Sequence, residues 1–76
     1  MDKKVVELLK INADQVRDDT VDLRDSIKDY NSTVNFVTSE RRLHEQLDEI
    51  EDNLDEAVYY LEKAQKILKE TMEGMI

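Results

Sequence analysis

Two apolar seams run through this chain, and they are out of phase with each other by one residue. The first is Val6, Leu9, Ala13, Val16, Thr20, Leu23, Ile27, Tyr30, Val34 and Val37, with steps of three and four throughout. The second is Leu43, Leu47, Ile50, Leu54, Ala57, Leu61, Ala64 and Leu68, continuing to Met72 or Met75. Each has the spacing of one apolar stripe on an α-helix. Extended beyond Val37, the first seam would fall on Arg41 and His44, whereas the second uses Leu43 and Leu47 and runs back through Phe36. One straight helix needs a skip to carry both phases. Two helices joined by a turn need none.

The phase break coincides with a change in composition. Asn31, Ser32, Thr33, Asn35, Thr38 and Ser39 are poor helix-interior residues, because their side chains compete for backbone hydrogen bonds or lose rotamer freedom. The fold expected is therefore all-α: a single domain over residues 1–76 forming a two-helix antiparallel hairpin. The first helix is expected over about 3–34, the turn within 31–39 and the second helix over about 39–73. The later part of the turn window is preferred because Val34 and Val37 prolong the first seam; the alternative is a turn at Asn31-Ser32-Thr33. Asp2 is expected to cap the first helix, and Thr38 or Ser39 the second, with Glu40 just inside it. A turn near residue 37 pairs position i with roughly 74 minus i, setting Ala13 against Leu61 and Thr20 against Leu54, small against large. With no proline and one glycine in 76 residues, helices of roughly 30 residues, about 45 Å each, are reasonable.

A lone hairpin of this size has little core, and small chains commonly gain stability from a partner. Two helices meet along one line and leave half of each seam wet, so pairing of two hairpins into a four-helix bundle dimer is expected. Apolar residues off the two seams are expected at the open end of the hairpin. Leu8, Ile11, Val58, Tyr59, Tyr60, Ile67 and Met72 are the candidate interface. Tyr59 lies opposite the seam, where tyrosine is a typical anchor for a partner.

Charge narrows the choice of partner. Nineteen acidic against eleven basic residues give a net charge of −8, which repels phosphate backbones and anionic membrane surfaces. Nucleic acid and membrane are disfavoured as partners. No stretch approaches the roughly 20 apolar residues of a membrane span, and the N-terminal run is too short and too charged for a signal peptide. Without cysteine there is no disulfide framework, and a cytoplasmic location is expected. From Glu45 to Glu56 there are seven acidic residues and no basic one. Glu45, Asp48, Glu49, Asp52, Asp55 and Glu56 form a candidate acidic face, either solvated or turned toward a basic partner.

No cofactor or metal is called for. A di-iron bundle needs inward Glu-x-x-His motifs, and the only histidine, His44, has Arg41 three residues before it. Ser26, Ser32 and Ser39 have no base beside them, and there is no glycine-rich phosphate loop, so no enzyme activity is expected. The function expected is non-catalytic protein–protein interaction: a small adaptor, chaperone-like or regulatory subunit that associates with itself and with another protein. The alternatives are a structural coiled coil formed by one long kinked helix, and an acidic inhibitor that mimics nucleic acid at a basic protein site.

Overall fold

The structure is a computed structural model that describes the backbone of residues 2–37 and 41–75, and the side chains of these residues except 34–37. Two helices, α1 (Lys3–Val37) and α2 (Arg41–Glu73), fold back on each other as an antiparallel hairpin 56 × 14 × 12 Å in extent. The chain is thus a hairpin and not one long kinked helix.

Asp2 caps α1 as its residue type suggests: its Oδ1 accepts a hydrogen bond from the Lys4 amide at 3.0 Å, and its carbonyl accepts one from Val6 at 3.2 Å. Asn31, Ser32 and Thr33 are helical, so the alternative turn there is not used and α1 continues to Val37. The physical reason is that the Thr33 and Asn31 side chains find bonds compatible with a helix. The Thr33 hydroxyl donates to the Asp29 carbonyl at 3.0 Å, and the Asn31 amide donates to Asp48 on α2 at 2.6 Å. The expected caps at Thr38 and Ser39, Glu40, and the side chains of Val34, Phe36 and Val37 lie outside the described residues.

The register between the helices is set by polar pairs. Asn31 meets Asp48, Lys28 meets Glu51, Arg24 meets Asp55, Arg17 meets Glu62 and Asp14 meets Gln65. In all five the two residue numbers sum to 79, five more than a turn at residue 37 implies. Ala13 is therefore level with residue 66 rather than with Leu61, and Thr20 with residue 59 rather than with Leu54.

The core is minimal. Val6, fully enclosed, and Val58, 4% exposed, are the buried residues among those described. Val58, expected on a partner-binding surface, is instead part of the hairpin's own core. It stands on the same level as Val21 and so forms the apolar rung in an otherwise polar ladder. Val6→Ala should lower stability by about 1–2 kcal/mol more than Val5→Ala, because both lose the same atoms from one helix but only Val6 is enclosed. Urea midpoints at unchanged slope measure the difference.

Candidate protein interaction surface

Each helix can be described by three rows spaced seven residues apart. On α1, row a holds Val6, Ala13, Thr20 and Ile27; row d holds Leu9, Val16, Leu23 and Tyr30; row e holds Lys10, Arg17, Arg24 and Asn31. On α2, row a holds Leu47, Leu54, Leu61 and Leu68; row d holds Ile50, Ala57 and Ala64; row e holds Glu51, Val58, Gln65 and Met72. The two seams are rows a and d. The helices, however, meet along rows a and e. Row a is buried or half-buried on both helices, and row e is too. Row d of α1 is left out: Leu23 is 52% exposed and Tyr30 66%, with Leu9 and Val16 between 44% and 49%. On α2, Ile50 and Ala64 are exposed as well.

This rotation sorts the hairpin into two unlike faces. At about 100° per residue, rows d and e flank row a on opposite sides of each helix. Because the helices are antiparallel and both turn row e inward, the two d rows emerge on the same side of the hairpin. The polar rows emerge together on the other.

On the polar face Arg24 Nη1 lies 3.4 Å from Asp55, Arg17 Nη2 3.7 Å from Glu62, and Lys28 Nζ 3.9 Å from both Glu51 and Asp55. The Gln65 amide donates to Asp14 at 2.8 Å, and the Lys10 ammonium donates to the same carboxylate at 3.0 Å. These two bonds, with the Lys10 charge, hold the Asp14 carboxyl below its usual value of 3.8. Of the acidic stretch, Asp48, Glu51 and Asp55 are thus engaged with α1, and Glu45 lies 3.6 Å from Arg41 one turn earlier. Glu49, Asp52 and Glu56 are exposed.

The apolar face runs from Leu9 to Tyr30, about 30 Å along α1 at 1.5 Å per residue. Exposed Tyr60 and Ile67 extend it at the outer edge of α2. The expected interface residues therefore do not lie together on one face. Tyr60 and Ile67 belong to the apolar face, and Leu8 points away from α2. Ile11 and Tyr59 lie toward the outer edges of the polar side. Val58 is in the core and Met72 is half-buried. Nor is exposed apolar surface confined to the open end, because Leu23, Tyr30 and Ile50 carry it into the half nearer the turn. Tyr59 and Tyr60 pack edge to face with centroids 5.3 Å apart, and the Lys63 ammonium lies over both rings at 5.2 and 5.9 Å.

The best-formed depressions are open and shallow. One of about 270 Å³ is lined by Ser26, Asp29, Tyr30 and Thr33, and one of about 260 Å³ is lined by Lys3, Glu7, Lys10, Lys69, Met72 and Glu73. Among the described residues no group of three or more His, Asp or Glu side chains is placed to hold a metal ion, and no helix is long and apolar enough to cross a membrane. No known protein family, curated protein or solved structure matches the chain.

Two outcomes are expected from the polar face. Arg24→Gln should cost less than about 1 kcal/mol at low salt, since its partners are half-exposed, and the difference should vanish near 1 M salt; paired urea titrations measure it. Gln65→Leu should raise the Asp14 pKa toward its ordinary value, as read from the carboxyl carbon shift in an NMR titration. Because the folded-state value is lowered, Asp14 contributes stability that is present above its ordinary pKa and is lost as the pH falls through the lowered one.

Proposed function

We propose that this chain is a non-catalytic protein–protein interaction module that works by helix packing and associates with itself. The observation that supports this most directly is the mismatch between its small enclosed core and its long apolar row. A compact protein of 9.0 kDa exposes about 4,850 Å², from the scaling of surface with mass. This hairpin exposes 5867 Å². The excess is about 1,000 Å², comparable with the roughly 800 Å² that each partner contributes to a standard protein–protein interface. The chemistry of that surface suits another protein. Leu, Val, Ile and Tyr along one face pack against apolar side chains of a helix, whereas a net charge of −8 opposes phosphate.

Light scattering together with concentration-dependent thermal unfolding tests the reading. Mass above one chain, and a melting temperature that rises with concentration, are expected. Leu54→Asp, which places a charge in row a between the helices, should abolish helicity and association together. A helical Leu54→Asp chain of single mass would remove the connection between folding and association on which the reading rests.

A further inference from the structure

We propose that the occupant of the apolar face is a second copy of this chain, packed antiparallel about a two-fold axis that crosses the face near Tyr60, with α2 against α2 and the two turns at opposite ends. The proposal deepens the interaction-module reading and rests on it. Three observations choose the occupant and its orientation.

The first is area and position. The surplus surface matches one half of a standard interface, and seven of the eleven large exposed apolar residues lie on this face or its edges. The opposite face is already occupied by cross-helix ion pairs. The second is symmetry. Row d of α1 is centred between Val16 and Leu23, and row d of α2, carried on to Thr71, between Ala57 and Ala64. At the observed register the two centres fall within one residue of the same level of the hairpin. A single transverse two-fold axis there sets Val16 against Leu23 and Leu9 against Tyr30 of the second copy, and Ala57 against Ala64. The alanines allow the two α2 helices to approach closely. At the edges Tyr60 meets its own symmetry mate, Ile67 meets Asn53, and Asp19 of α1 meets its own mate. A parallel pair would instead set Tyr60 beside Asp19 and Ile67 beside Asn12.

The third is charge. Residues 21–58, the half nearer the turn, carry eleven acidic and four basic side chains, leaving eight acidic and seven basic for the open half. Antiparallel packing lays each strongly acidic half over a nearly neutral one. Parallel packing lays acidic on acidic, where like charges repel.

The chain has no cysteine, so single-cysteine variants report proximity cleanly. Tyr60→Cys should form an interchain disulfide under mild oxidation, whereas Asp18→Cys, on the polar face, should not. Leu23→Lys should lower the association constant at least a hundredfold. Asp52→Lys, exposed and off the face, should leave it within about threefold. A dimer that fails to cross-link through Tyr60→Cys overturns the antiparallel geometry and leaves self-association standing. A dimer unaffected by Leu23→Lys overturns the choice of face. A chain of single mass at millimolar concentration overturns the second copy altogether. If that single chain is stably helical, the module reading then depends on a different protein; if it is unfolded, the fold itself needs that protein.

Discussion

A pair of helices can close only one strip of each against the other, and which strip each helix gives up decides the rest of this molecule. A helix with two adjacent apolar rows has enough apolar surface for two neighbours. Here rows a of both helices go to the hairpin. Row d of α1, with Ile50 and Ala64 of α2, does not, because each helix is rotated so that row e, with Arg17, Arg24, Glu51, Val58 and Gln65, turns inward instead. The rotation spends long amphipathic side chains on the hairpin's second row. Their stems cover the leucines of row a while their charged ends reach partners at the edge. The more valuable apolar row stays outside.

The hairpin, its all-α class and the spacing of both seams were legible in the sequence because they depend on periodicity alone. The one-residue phase shift between Val37 and Leu43 favours two helices over one straight helix, while one long kinked helix stays open in the sequence alone. Periodicity identifies the residues that share a stripe, but it does not say which half of the stripe meets which neighbour. Val58 was misread for that reason: in a pattern of rows a and d it falls off the seam, whereas in the observed packing it is the most enclosed residue of α2. A signal for row e was nonetheless present. Arg17, Arg24 and Lys28 on α1 have carboxylates at Glu62, Asp55 and Glu51 on α2, and each pair sums to 79. A fixed sum across opposite charges marks both an antiparallel register and the rows that define it. Tyr59, opposite the seam, is exposed and packs locally against Tyr60 and Lys63.

The polar ladder contributes little to stability. Its three ion pairs are separated by 3.4 to 3.9 Å and are partly exposed, so solvent and salt screen them. Its greater effect is on geometry. Five pairs at one register resist slippage that two featureless leucine rows would tolerate, and they hold the d rows level with each other. The acidic stretch from Glu45 to Glu56 acquires a partial structural account in this way: Asp48, Glu51 and Asp55 answer the cations of α1, while Glu49, Asp52 and Glu56 keep the outer surface charged.

The contrast between the faces also bears on how far assembly proceeds. A helical layer that is apolar on both sides presents a new sticky surface each time it adds a neighbour, and such contacts need not close. This hairpin has one apolar face. In the proposed pair, a two-fold axis would bury both copies' apolar faces at once and leave the ion-paired faces outside. Those faces carry Arg17, Arg24 and Lys28 already matched to acids, with exposed Ile11 and Tyr59 at their outer edges, so they offer a third hairpin no continuous apolar row. With a net charge of −8 on every chain, further addition also meets repulsion. In the proposed pairing, the rotation that withholds row d of α1 from the hairpin would therefore also limit assembly to a closed pair.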